Sequence, residues 1–238
     1  MTTAFVQNVG SATSGTTGSG TYPITVSAAA TSPGNGVILW ARFGGGDYVT
    51  AVSDTRGNTW QVDSTGSQAQ ANASICSCVI APGKALVSGD TITLTLRQVQ
   101  GDAAGAAACA EFSGLLVTAG HLDADKTATA QTGSGTTITA ATATNTSEAS
   151  ELVLSAVAFG GTAPTLTPGG SDPDSGGTWN DLALPAAPAV SDAAYQIAEA
   201  VSEFSCTWTS TGSGNINAAI VTYKTAGAPA DAIMGIFP

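Results

Sequence analysis

Charge is what this sequence has least of. Only 10% of its 238 residues are Asp, Glu, Lys or Arg, against roughly 25% in ordinary globular chains. Cations are the scarcer kind: six Lys and Arg face 17 Asp and Glu, for a net charge of -11. Phosphate backbones are bound through clustered cations, so nucleic acid is excluded as a partner. Docking on anionic lipid is disfavoured for the same reason. Long hydrophobic runs are missing as well. No stretch approaches the roughly 18 apolar residues of a membrane span, so no membrane partner is expected. The first residues, Met1 to Phe5, lack a cationic start followed by an apolar run, and no cleaved signal is expected.

Groups that carry chemistry are equally sparse. There is one histidine, His121, in a segment that reads as a loop, where a solvated or capping role is expected. The acids Asp47, Asp54, Asp63, Asp90 and Asp102 are scattered through loops rather than paired, as acid–base work would require. No G-x-S-x-G marks a nucleophile elbow. Gly44–Gly46 and Gly169–Gly170 precede no Lys-Ser/Thr, so they read as turns rather than phosphate loops. The four cysteines (Cys76, Cys78, Cys109 and Cys206) form no CxxC, and a chain with a real core needs no disulfide framework. Buried free thiols are the expectation. No metal, cofactor or catalytic residue is expected. Asp172 and Asp174 could cradle a calcium ion, but an Asp-rich turn is the simpler reading.

What the chain does have is Ala, Gly, Ser and Thr, with 29 Gly and 10 Pro as punctuation. Apolar residues reach 43%, enough for a sizeable core. Tyr22, Ile24 and Val26 alternate with polar neighbours, a strand with one dry face. Pro23 assigns that strand to an edge or a strand start. Val37–Phe43 is apolar on nearly both faces, as a central strand would be. Tyr48–Ser53 and Thr59–Val62 flank a tight turn and suggest a hairpin. Ile75–Ile80, Ala106–Phe112 and Leu152–Phe159 read as strands, and Thr91–Leu96 alternates cleanly. Ala124–Thr146 shows weak alternation, and Thr162–Pro188 reads as irregular loops. Tyr195–Ile197 and Phe204–Trp208 suggest a late hairpin, with Asn217–Tyr223 as the last strand. Nothing has the period of a long amphipathic helix. The pattern predicts an all-β fold, an antiparallel two-sheet β-sandwich, jelly-roll-like. Residues 1–20 are expected as a flexible arm, 21–224 as the sandwich, and 225–238 as a linker and apolar docking tail.

Two features suggest contacts with other molecules. Trp40 and Trp208 sit in apolar strands and belong in the core. Trp60 follows a turn and Trp179 lies in a loop, where either could stack on a glycan of a host surface. The tail ends in Ile233, Met234, Gly235, Ile236 and Phe237. Exposing these side chains is unfavourable at about 25 cal/mol per Å², so Ile233, Met234, Ile236 and Phe237 are expected to bury themselves on a neighbouring subunit.

The order of the strand motifs resembles a β-sandwich family common in phage and bacterial genomes. The matching pieces are Val37–Phe43, then Val52-Ser53-Asp54-Thr55-Arg56-Gly57-Asn58-Thr59-Trp60, then Val79-Ile80-Ala81-Pro82-Gly83. Glu111-Phe112-Ser113-Gly114-Leu115, Glu151-Leu152-Val153-Leu154, Tyr195-Gln196-Ile197 and Ala218–Lys224 complete them, over about residues 20–224. In phages of actinobacteria, proteins that look like this are typically virion components called minor tail proteins. The resemblance implies a non-enzymatic structural protein of a tail tip or tail fibre, assembled in the host cytoplasm into the virion. Its partners would be other virion proteins and copies of itself, a trimer under closed symmetry. A capsid decoration protein and a carbohydrate-binding adhesin module are the alternatives.

Overall fold

The computed structural model describes residues 2–14, 20–65, 71–97, 105–116, 120–160, 165–170, 178–182 and 190–226. Among them are fourteen strands. The first eight are β1 (Ala4–Ser14), β2 (Thr21–Thr25), β3 (Gly36–Phe43), β4 (Tyr48–Asp54), β5 (Trp60–Thr65), β6 (Asn72–Val79), β7 (Thr91–Arg97) and β8 (Gly105–Ser113). β9 (Ala128–Ala141), β10 (Leu152–Gly160), β11 (Leu166–Gly169), β12 (Asn180–Asp181), β13 (Val190–Ile197) and β14 (Ser205–Tyr223) follow. The only helix among the described residues is a single 3-10 turn at Ala124–Lys126. Every strand pairing is antiparallel.

The expected all-β antiparallel sandwich is present, and it has three sheets rather than two. A central sheet runs β1-β8-β3-β6-β5, a small sheet β2-β7-β4, and a large sheet β11-β14-β10-β13-β12, with β9 also on β14. One face of the central sheet (Val37, Leu39, Phe43, Cys76, Cys78, Cys109) packs on Ile24, Val49, Ile92 and Leu94 of the small sheet. The other face (Ile38, Trp40, Ile75, Ala110, Phe112) packs on Leu152, Leu154, Ala193, Val221 and Tyr223 of the large sheet. This explains the near-continuous apolar run in β3, all of whose residues are buried. A strand covered on both faces has no solvent side to alternate toward. β7, covered on one face only, keeps its period of two.

Several local expectations change. β1 runs to Ser14, so the arm expected over 1–20 is instead an edge strand of the central sheet as far as Ser14. Its small Ser, Thr and Gly residues suit close approach: a Cβ on Gly10 would meet the Thr25 carbonyl oxygen at 2.6 Å. The hairpin expected over 48–62 does not form. β4 pairs with β7 and β5 with β6, so the turn between them is a corner that carries the chain from one sheet to another. The late hairpin fails as well, because β10 lies between β13 and β14. β14 is a single 19-residue strand. Its first half curls with β9 over the outer face of β10, and Trp208 donates its indole N–H to Ser155 Oγ at 3.0 Å. Trp40 and Trp208 are fully buried, and Pro23 does lie on an edge strand.

Candidate functional site

The polar residues of the motif at Val52–Trp60 are spent on the corner. Asp54 Oδ1 accepts the backbone N–H groups of Arg56 at 2.8 Å and Asn58 at 3.2 Å. Its Oδ2 accepts Asn58 Nδ2 at 3.1 Å and the Trp60 indole N–H at 2.7 Å. Asn58 then ties this knot to the Ala-Pro-Gly turn. Its amide donates to the Lys84 carbonyl at 3.0 Å, and its oxygen accepts the Ala81 N–H at 3.1 Å. Trp60, expected as a possible glycan contact, thus has its N–H committed and its ring half-buried against the core. Removing the acceptor with Asp54→Ala should cost about 2–3 kcal/mol. Asp54→Asn, which keeps an acceptor, should cost less. Urea unfolding of the three proteins checks the order.

Trp179, the second candidate for stacking, is 6% exposed and packs in the outer core of the large sheet. Its indole N–H donates to the Ser205 carbonyl at 3.1 Å. Trp179 therefore offers no open face. Ile233, Met234, Ile236 and Phe237, together with Asp172 and Asp174, lie outside the described residues.

All four cysteines are free and buried, as expected. Burial pushes the Cys109 and Cys206 thiols up to about 12, and those of Cys76 and Cys78 well above the ordinary range. Because the thiolate is the reactive form, Ellman's reagent at pH 8 should label none of them in the folded protein within minutes. All four should react in denaturant. Fast labelling of any one in native buffer would contradict this placement.

His121 departs from its expected solvated position. It is 5% exposed, its ring stacks on Tyr223, and its Nε2 hydrogen-bonds with Ser77 Oγ at 2.8 Å. The backbone explains the burial. Residues 121–123 pair beside the end of β14, with Lys224 N–H on the His121 carbonyl at 2.7 Å and Asp123 N–H on the Thr222 carbonyl at 2.8 Å. Tyr223 donates its hydroxyl to Asp63 Oδ2 at 2.7 Å, Gln61 donates to Asp63 Oδ1 at 2.7 Å, and Ser77 also hydrogen-bonds Asp63. Desolvation pushes the Asp63 carboxyl up to about 6, against the hydrogen bonds that hold it down. Beside this cluster Asp123 accepts Ser147 Oγ at 2.5 Å and lies 3.3 Å from the Lys224 ammonium. The serine hydroxyl sits between the imidazole and the carboxylate, and Ser77 and Tyr223 are fully buried. The arrangement is a polar staple between the central sheet (Asp63, Ser77) and the large sheet (Tyr223). No sequence spacing links residues 63, 77, 121 and 223, so only the topology brings them together.

A concave surface is formed by described residues of two sheet edges. It lies where the edge strand β1 of the central sheet faces the edge strand β12 of the large sheet. Phe5, Asn8, Asn180, Asp181, Leu182 and Tyr195 line a cavity of about 350 Å³. A second, of about 200 Å³, continues past Asn8 and Leu182 to Ser11, Ser27 and Cys109. Phe5 is 37% exposed. Its ring lies nearly parallel to Tyr195, at a 6.0 Å centroid distance and 19°, while Phe112 meets both edge-on. On the rim Asp181 hydrogen-bonds Asp192, and the Asp192 carboxyl is raised to about 7 by desolvation and then by the neighbouring Asp181 charge. No motif or period marks this groove, because its residues lie far apart in the chain.

The chain matches no family model, no curated protein and no solved structure.

Proposed function

We propose that this protein is a non-enzymatic structural component of a phage virion, with a minor tail position, at the tip or fibre, favoured over capsid decoration. The observation that carries the non-enzymatic reading is the use to which its polar residues are put. Asp54, Asn58 and Trp60 lock a corner, Glu111 ties three segments together, and Ser77 and His121 staple two sheets. The virion assignment rests on the order of strand motifs across residues 20–224, and the low charge density of the surface suits close packing against other chains.

Assembly through the C-terminal tail belongs to the same reading. Ala226, the last described residue, is held to the body by its N–H on the Gly114 carbonyl at 2.8 Å. A chain of twelve further residues spans up to about 40 Å when extended, enough to reach a neighbouring subunit. Deleting residues 227–238 should lower the mass measured by light scattering from a closed oligomer, a trimer in this reading, to a monomer. An unchanged mass would reject the tail as the assembly device. Imaging of intact particles carrying a labelled copy tests the position: label at the tail tip supports the reading, and label absent from particles overturns it.

A further inference from the structure

We propose that the groove between β1 and β12 binds a neutral oligosaccharide. This takes up the glycan partner suggested by the sequence but moves its site away from Trp60 and Trp179. Four properties of the groove argue for a sugar. The larger cavity, about 350 Å³, falls within the roughly 300–1,000 Å³ of small-molecule sites. The two cavities share Asn8 and Leu182, so they form one elongated groove. Along β1 it runs from Phe5 to Ser11, about 20 Å at the rise of a strand, which suits a chain of sugars better than a single ring.

The lining chemistry narrows the ligand. Phe5 and Tyr195 give an apolar platform with one polar tip, the kind of surface on which the C–H face of a pyranose packs. Asn8 presents both donors and an acceptor, and Asn180, one of whose donors goes to the Tyr195 carbonyl at 3.4 Å, keeps a second donor and its acceptor. Together they match the mixed donor and acceptor character of vicinal hydroxyls. Asp181 supplies a further acceptor, while Ser11 and Ser27 supply hydroxyls in the second cavity. No Lys or Arg lines either cavity, so a sialylated, sulfated or phosphorylated glycan would meet only an opposing carboxylate. An ammonium ligand would match Asp181 but would leave the amide donors of Asn8 and Asn180 facing a cation.

The proposal is independent of the virion reading, and the two fail separately. The full chain is applied to a printed array of neutral oligosaccharides of two to six residues, and each hit is titrated by calorimetry. The expected result is saturable binding to at least one neutral oligosaccharide, weakened at least tenfold by each of Phe5→Ala, Asn8→Ala and Asn180→Ala. These three residues are exposed, and unchanged thermal melting of each variant shows that the fold is kept. Trp60→Phe should leave affinity unaltered, because β5 is at the opposite edge of the central sheet. The proposal is overturned if no neutral glycan binds, if only anionic glycans or a lysine-rich peptide bind, or if affinity survives all three groove substitutions. Light scattering of the same variants reads assembly separately.

Discussion

Replacing Glu111 by alanine is expected to destabilise the protein by about 3–5 kcal/mol, the scale for orphaning a buried charge-assisted network. Glu111 is fully buried in β8. Its Oε2 accepts the Gln7 amide at 2.6 Å, and its Oε1 accepts the Ser32 N–H at 2.7 Å and the Asn35 amide at 2.8 Å. One carboxylate therefore holds the edge strand β1, the turn before β3 and the central sheet together. Truncation removes the acceptor, leaves the Ser32 N–H and the Asn35 amide facing a hole, and leaves the Gln7 amide only its bond to the Ala29 carbonyl at 3.3 Å. Glu111→Gln keeps the shape but presents an amide nitrogen to donors, so it should lose more than half of that amount. Chemical denaturation with tryptophan fluorescence measures both. A loss below about 1 kcal/mol, the worth of one ordinary hydrogen bond, would mean that the three donors find water instead.

The second large effect is in pH. Most proteins lose stability on acidification because paired carboxylates must be protonated. Here the raised groups run the other way. Asp63 has its carboxyl raised to about 6 and Asp192 to about 7, and burial also raises Glu151. A carboxyl raised on folding binds its proton more tightly in the native state than in the unfolded one. Its stabilising contribution is complete below the unfolded value near 4 and is lost as pH rises through the folded value. Stability should therefore increase from pH 8 down to about pH 5. Asp63 alone should contribute about 1.4 kcal/mol across that window, and about 3 kcal/mol only once pH has fallen below its unfolded value. Relief of self-repulsion in a chain of net charge -11 acts in the same direction. Below that window the Arg56–Asp90 pair, 2.7 Å apart, opposes it, because Arg56 holds Asp90 below the usual carboxylate range. Asp63→Asn mimics the protonated acid, so it should raise the midpoint at pH 8 and flatten the profile. Melting temperatures at pH 8 and pH 5 decide. A wild-type protein more stable at pH 8, or an Asp63→Asn profile parallel to wild type, would contradict the buried placement of these carboxyls.

Much of the body was legible in the sequence because burial leaves a pattern. β3, β7 and β10 were readable from apolar runs or clean alternation, and Pro23 identified an edge. β1, β9 and β14 were harder, because their Ser, Thr and Gly residues resemble loop composition. Their strand character comes from neighbours rather than from their own side chains: β9 pairs along nearly all of β14. The two false hairpins have different causes: β10 inserts between β13 and β14 within one sheet, whereas β4 and β5 lie in different sheets. A tight turn between two strands implies adjacency in sequence, but the Asp54 knot shows that such a turn can equally bridge two sheets. Functional residues were less legible still. His121 looked like a loop residue because Gly120 precedes it, and its burial follows from pairing with residues a hundred positions away. The tryptophans drew attention for their size, yet both loop candidates pack inward. The groove draws on Phe5, Asn8, Asn180 and Tyr195, which no local period or motif unites.

Hydrogen exchange reports whether the β1-β8-β3-β6-β5 sheet lies buried between the two others. Peptides covering β3 and β8 should exchange only through global unfolding, with protection that follows the denaturant midpoint. Peptides from β9, whose side chains are largely exposed, should open at lower cost. If β3 exchanged as readily as β9 in native buffer, the central sheet would not be covered on both faces, and the layered architecture described here would be wrong.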